Sequence, residues 1–423
     1  LKPHCTDWVS TYHLSSSRSN ILRPFRFSSE LEILEIGAGC GVITRYLGEC
    51  GAKILALEGS LRRSRIARSR TRDLSNVKVV CETFSDFEIE QKFDVITLIG
   101  VFEYASKYIA SKNPQEAMLK SVATLLKPNG SIVLAIENQL GLKYFAGTPE
   151  DHLQIPLYGI ENRYNNDEPR TFGQQTLLIM LKTLGLSDVS FFAPYPDYKL
   201  PVSIVSEAGF ERKEFDASAF AWQSVKSDSQ LPPSEKLSFS PELAWQSVFK
   251  EGLGLALSNS FLIHASCSKT GCLGKPALAY HYSTNRSREY CKETLFTAES
   301  SGQVLVTPNL LSPTRDNKSL ESIIKFVHPK PKPYTLGKPL SLDFIQVVSR
   351  DGWDIDQIGF FLARYITVLR WLLKGSSFTG TLSKKQDKLP GTFFDVIPQN
   401  IIVQSNGQPV IIDPEWELVE DIE

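Results

Sequence analysis

The stretch from Leu31 to Gly41, LEILEIGAGCG, constrains this chain more than any other. Leu31, Ile33, Leu34 and Ile36 form an apolar run, which predicts a buried strand of a parallel sheet. Gly37, Gly39 and Gly41 follow at alternate positions and turn the chain into a helix beginning near Val42. A side chain at any of them would block close backbone approach to a ligand or demand a costly positive φ. Strand, glycine turn and helix together make a nucleotide-binding device. Its spacing, E-x-G-x-G-x-G, departs from the G-x-G-x-x-G of dinucleotide sites.

Later segments narrow this reading. Residues 53–57 predict a second strand ending at Glu58, and an acid there can accept both hydroxyls of a ribose. Residues 93–100, apolar and β-branched, lead into Val101-Phe102-Glu103-Tyr104. Lys127-Pro128-Asn129-Gly130 predicts a turn before a fifth strand at 131–137. This order and spacing resemble class I S-adenosylmethionine-dependent methyltransferases, and they disfavour a nicotinamide dehydrogenase. The resemblance implies an α/β fold with a Rossmann-like seven-stranded sheet.

Composition excludes some classes of function. The 423 residues are enough for two or three domains, and 42% apolar with 22% charged residues is ordinary for a globular chain. A formal charge of −1 gives no global footprint for nucleic acid or a membrane surface. The seven cysteines contain no C-x-x-C pair, which suits reduced, intracellular thiols, and the C-x-x-x-x-C spacing of Cys267 and Cys272 is a weak metal signal. No apolar run reaches the length of a membrane span, and no signal-peptide core is present, so a cytoplasmic protein is expected. The chain opens at Leu1, which leaves a fragment open. Arg62, Arg63, Arg65, Arg68, Arg70 and Arg72 read as a solvated helix face after Glu58, with an anionic substrate or a membrane surface as the alternative.

The pattern divides the chain into an N-terminal lid at 1–30, a methyltransferase domain at 31–268 and a smaller α+β domain at 269–423. Within the second segment, 176–184 predicts a helix, 187–193 a sixth strand, 200–258 an insertion and 259–265 an antiparallel seventh strand. Residues 266–275 read as the boundary. Beyond it, 277–283, 289–298 and 303–307 look like strands of a meander, and 358–374 carries a helical apolar period. Residues 400–404 and 409–412 flank Ser405-Asn406-Gly407, a hairpin signal.

A closer resemblance rests on EIGAGCGVITRYLGE (35–49), LIGVFEYA (98–105), AIENQLGLKYFAGTPEDH (135–152), TFG (171–173) and PYPDYKLP (194–201). These strings resemble S-adenosylmethionine-dependent methyltransferases of bacterial surface-polysaccharide and glycan assembly. The layout is similar to the bifunctional methyltransferase/kinase proteins that cap O-antigen chains. The resemblance implies that Gly37, Gly39 and Gly41 contact the methionine and ribose region, that Glu58 holds the ribose diol and that Glu35 reaches the methionyl ammonium. Glu82 or Thr83 would lie near adenine, with Gly100, Val101 and Glu103 lining the cofactor. The methyl would go to an oxygen of a glycan or glycan phosphate. A lipid-linked saccharide acceptor, glycan-assembly partners and a peripheral place at the inner membrane fit that role. Asp151-His152 is the leading acid–base pair and His13 the next candidate. Lys143, Tyr144, Arg163 and Tyr164 follow the fifth strand, where acceptor sites of open α/β sheets form.

Asp395, Asn400 and Asp413 match the D-x-x-x-x-N … D spacing of kinase-like phosphotransferases. In that chemistry Asp395 takes the hydroxyl proton, Asn400 and Asp413 hold Mg²⁺, and Lys292 is the best lysine for ATP. Departures are substantial. Phe393 stands where a histidine is expected, 276–310 lacks a glycine-rich loop, and the chain ends ten residues after Asp413. The expectation is a degenerate or truncated kinase-like domain, using ATP and Mg²⁺ only if active. A bifunctional enzyme and a nonenzymatic scaffold are the alternatives.

Overall fold

A computed structural model describes residues 4–268, 273–274, 276–312, 323–374, 378, 381–384 and 387–420. The chain divides into two compact units, Leu1–Glu211 with Phe220–Tyr282, and Arg212–Ala219 with Ser283–Glu423. Cys272 and residues 269–271 and 275 of the expected boundary lie outside the described residues.

The first unit opens with α1 (Trp8–Leu14), capped by Asp7, whose carboxylate accepts the Ser10 N–H at 2.7 Å. A 3₁₀ helix, Ser16–Leu22, follows. Next come β1 (Glu32–Ile36), α2 (Val42–Glu49), β2 (Lys53–Leu57), α3 (Leu61–Arg70), β3 (Val77–Val80), β4 (Phe93–Ile99) and β5 (Leu126–Glu137). These five strands run parallel in the order β3-β2-β1-β4-β5. They are followed by β6 (Asp188–Tyr195), β7 (Ser203–Ser206), β8 (Ser260–Ser266) and β9 (Ala279–Ser283). β8 enters antiparallel between β5 and β6, its Ser266 facing both Ser131 and Asp188. The expected seventh strand is therefore present. Leu34, Ile96, Ile132, Leu134, Phe261 and Ile263, buried in one cluster, explain the apolar runs of β1, β4, β5 and β8.

Three local readings need correction. Lys127-Pro128-Asn129-Gly130 lies inside β5, and the register with β4 shifts between Phe93 and Val95. These residues form an irregularity within the strand and not a turn ahead of it. The 200–258 insertion contains β7 and the helices Glu207–Glu211, Ser218–Ser224 and Pro241–Lys250. Four fully buried residues are too short for a readable period, so β7 left no pattern. β9, read as the first strand of the second domain, pairs with β7 (Ser203↔His281) and belongs to the first sheet. A strand pattern does not say which sheet will take it.

In the second unit, β10 (Lys292–Ala298) and β11 (Val304–Leu310) pair antiparallel. Short strands follow: β12 (Ile324–Phe326), β13 (Lys332–Pro333), β14 (Lys338–Pro339), β15 (Ile401–Val403), β16 (Pro409–Ile411) and β17 (Trp416–Leu418). β15 and β16 form the predicted hairpin, closed by the Gln404 N–H donating to the Gln408 carbonyl at 3.0 Å. The helix Ile355–Leu372 starts on an Asp354/Gln357 capping box, and its Phe361 and Leu369 pack with Leu340, Val396 and Ile401. Among the described residues, no helix is long and apolar enough to cross a membrane.

Candidate active site

A cavity of about 560 Å³ opens beyond the C-terminal ends of β1, β2 and β4, where strand order reverses on either side of β1. Glu35, Gly37, Gly39, Glu58, Glu82, Thr83, Gly100 and Val101, all selected from the sequence, border it. So do Tyr12, His13 and Arg18 of the N-terminal segment, and Arg63 and Tyr104.

The glycine loop is held from both sides. The N–H groups of Gly37 and Ala38 donate to the Leu57 carbonyl at 2.9 and 3.0 Å. Glu58 links the loop to α3: one carboxylate oxygen accepts the Gly39 N–H at 2.7 Å, the other the Ser60 N–H at 2.9 Å. Each oxygen retains a second lone pair for a ligand hydroxyl. Gly39 has φ +55° and no atom within 4 Å of where a Cβ would stand, so that Cβ would enter the cavity. Gly41 does something else. Its Cβ would lie 2.7 Å from the Cα of Ala67, so this glycine lets α2 approach α3, and it does not border the cavity.

Two buried atoms of opposite charge lack hydrogen-bond partners here, Oε2 of Glu35 and Nη1 of Arg18. Burial lifts the Glu35 carboxyl to about 7. The Arg18 guanidinium lies 3.9 Å over the ring of Tyr12. Burial, then the positive charges of Arg63 and Arg18, lower the His13 pKa. His13 is therefore neutral at physiological pH.

Glu103 departs from expectation. It is 1% exposed and does not border the cavity; its neighbour Tyr104 does. Phe102–Tyr104 is a 3₁₀ turn, in which successive side chains point about 120° apart. The Asp151-His152 pair also fails to form. Asp151 binds Lys143 at 2.8 Å, Lys199 at 2.7 Å and the Tyr144 hydroxyl. His152 turns the other way, with Nδ1 3.0 Å from the Tyr104 hydroxyl and Nε2 3.5 Å from Glu137 Oε2. Burial opposes a charge on that ring, but the Glu137 carboxylate outweighs it and raises the pKa to about 9. A ring already protonated at neutral pH is no general base, and neither Asp151 nor His152 borders the cavity.

The acceptor candidates are engaged elsewhere. Lys143 and Tyr144 belong to the Asp151 network, the Tyr164 hydroxyl bonds Thr171 Oγ1 at 2.7 Å, and Arg163 pairs with Glu161 at 3.0 Å. Sequence reasoning missed Tyr12, Arg18, Arg63 and Tyr104 at the cavity. It also missed Lys199, which joins Glu137 at 2.6 Å to Asp151. The PYPDYKLP string contained Lys199; Arg18 sits in a polar stretch with no periodic signal.

The kinase-like residues of the second unit do come together. Lys292 Nζ lies 2.5 Å from Asp413 Oδ1 and 2.8 Å from Glu415 Oε1. Asp395 accepts the Glu415 N–H at 2.7 Å and the Asn400 amide at 3.2 Å.

Residues 34–132 match the family model of a methyltransferase domain. The first unit thus carries a class I methyltransferase domain on a Rossmann-like α/β fold with a large mixed sheet. The chain is 28% identical over 112 residues to a ubiquinone biosynthesis O-methyltransferase of Bradyrhizobium diazoefficiens, covering 26% of this chain and 41% of that protein. It is 28% identical over 124 residues to the Rickettsia akari protein of that name, covering 29% and 46%. The match thus spans less than half the length of these relatives. The crystal structure of the N-methyltransferase NodS from Bradyrhizobium japonicum is similar at 16% identity and a TM-score of 0.29, over 40% of this chain and 82% of that one.

Proposed function

We propose that the first unit transfers a methyl group from S-adenosylmethionine to an acceptor oxygen. The observation that carries this is the pair of unpartnered buried atoms, Glu35 Oε2 and Arg18 Nη1, in a cavity that also holds Glu58 and the open face of Gly39. An amino-acid ammonium and carboxylate fit the first two, and a ribose diol fits Glu58. Glu82 and Thr83 then stand at the adenine end, and Gly100 and Val101 along the cofactor. S-adenosylmethionine, when bound, supplies a methyl on a sulfonium leaving group that needs no activation. The protein's task is chiefly alignment of the acceptor oxygen. His13, neutral and at the cavity wall, accepts the acceptor proton at a free imidazole nitrogen, and the Tyr104 hydroxyl orients the acceptor.

The acceptor is a glycan or glycan phosphate, met as a lipid-linked saccharide in the cytoplasm or at the inner membrane beside glycan-assembly proteins. The strings at 135–152 and 194–201 support this reading, and Arg63 at the cavity suits an anionic acceptor. The similarity to ubiquinone biosynthesis O-methyltransferases favours a second reading, a phenolic oxygen. The family match at 34–132 covers the cofactor half of the sheet, where acceptor choice leaves little trace. Calorimetry with S-adenosylhomocysteine tests the cofactor: wild type binds and Gly39→Arg does not. Absence of binding to the intact protein defeats the proposal. Methyl transfer to lipid-linked saccharides, compared with catechols, then decides the acceptor.

For the second unit we infer a kinase-like module without phosphotransfer. Lys292 is fully buried between two acids, and Asp395 already accepts from Glu415 and Asn400, so neither is offered to ATP or Mg²⁺. ATP-dependent phosphate incorporation that disappears in Asp395→Ala would overturn this reading.

A further inference from the structure

We propose that Glu103, Glu137 and His152 bind one divalent transition-metal ion of the zinc or manganese class, a site separate from the cofactor cavity. One donor atom from each lies within 4.8 Å of the other two. Glu103 Oε2, Glu137 Oε2 and His152 Nε2 are all buried and all lack a hydrogen-bond partner. Three such atoms facing one another are unusual, because buried polar groups are almost always paired. His152 Nε2 approaches Glu137 Oε2 at 3.5 Å, too long to satisfy either atom well. One cation between the three satisfies all of them at once.

The surroundings fit that role. The second oxygen of Glu137 is held by Lys199 at 2.6 Å and by the Tyr198 hydroxyl at 3.3 Å, which leaves Oε2 turned toward the cluster. Nδ1 of His152 is held by the Tyr104 hydroxyl at 3.0 Å. A metal ion taking its place between the carboxylates displaces the proton that Glu137 keeps on Nε2; with the Nδ1 proton held toward the Tyr104 hydroxyl, the Nε2 lone pair then faces the carboxylates, the outer-shell arrangement that fixes a metal-ligating tautomer. Two carboxylates and an imidazole suit zinc, manganese or ferrous iron better than calcium or magnesium. With metal–ligand lengths of about 2.0–2.2 Å, neighbouring ligands stand about 3 Å apart, so the three donors, within 4.8 Å of one another, draw together around the ion. The bound ion would tie the segment after β4 to the end of β5 and hold Tyr104, through His152, at the cavity wall.

The intact protein, stripped with chelator and dialysed, is titrated with Zn²⁺ and with Co²⁺, and bound metal is counted by mass spectrometry. One equivalent is expected in wild type, with affinity at least tenfold lower in Glu103→Gln and in His152→Gln. No stoichiometric uptake by folded wild type, or uptake unchanged in both variants, overturns the proposal; the three groups are then held by protons alone. Should the variants fail to fold, wild type decides: Co²⁺ on imidazole and carboxylates gives a d–d absorption band saturating at one equivalent, and its absence refutes the site. Neither readout uses S-adenosylmethionine, so failure of the metal site and failure of the methyltransferase reading are told apart.

Discussion

Gly39 and Gly41 sit two residues apart in one loop, yet alanine at each should fail in a different way. Both have positive φ, +55° and +76°, so alanine costs about 1–2 kcal/mol of backbone strain at either position. At Gly41 the new methyl carbon would also stand 2.7 Å from Ala67 Cα and 2.9 Å from its Cβ. Relieving that overlap forces α2 and α3 apart, an overpacking cost of about 1–3 kcal/mol. Gly41→Ala should therefore lose about 2–5 kcal/mol of stability, and Gly39→Ala only the strain. Ligand binding should reverse the order. The Gly39 methyl enters the cavity, so Gly39→Ala should weaken S-adenosylhomocysteine binding tenfold or more, while folded Gly41→Ala keeps most of its affinity. Urea unfolding followed by tryptophan fluorescence measures the first effect and calorimetry the second. Equal unfolding midpoints would refute the packing argument, and wild-type affinity in Gly39→Ala would refute the cradle.

Other outcomes follow from the same geometry. Glu58→Gln should weaken S-adenosylhomocysteine binding by about 1–3 kcal/mol in calorimetry, because its amide turns a donor toward the Gly39 or Ser60 N–H and loses charge at the diol. The Glu35 carboxyl is pushed up to about 7 when folded, against an ordinary 4.5, so the folded state holds the extra proton between those values. Stability contributed by that proton is complete below about 4.5 and is lost as pH rises through 7, roughly 3 kcal/mol in all. Glu35→Gln should remove this slope from unfolding measured at pH 5 and pH 8. Lys199→Met leaves Glu137 and Asp151 without a shared cation and should destabilise the first unit by about 3–5 kcal/mol in denaturant. His13→Asn should lower kcat about 100-fold or more in a methyl-transfer assay, with S-adenosylhomocysteine affinity little changed.

What could be read from residues alone was local or repetitive. The glycine loop was legible because close approach and positive φ admit almost no other residue type, and the acid closing β2 follows at a set distance. The run at 260–266 was legible because a strand buried on both faces carries apolar residues side by side, here Phe261, Leu262 and Ile263. The Asp151-His152 pair misled because adjacency in the chain is not adjacency of side chains. Asp151 meets Lys199 across 48 positions, and His152 meets Tyr104 across 48. Glu103 and Tyr104 exchanged expected places through the handedness of a single turn, which no composition reveals.

The sequence by itself thus determined the βα order, the cofactor loop and Glu58, since each follows from backbone demands within one or two neighbouring elements. Tertiary structure alone decided that Arg18 and His13 reach the cavity, that Gly41 serves helix packing, and that β9 joins the first sheet. It also decided that Glu103, Glu137 and His152 face one another. Those outcomes depend on which distant groups burial brings together, and a buried charge takes whatever partner the fold supplies.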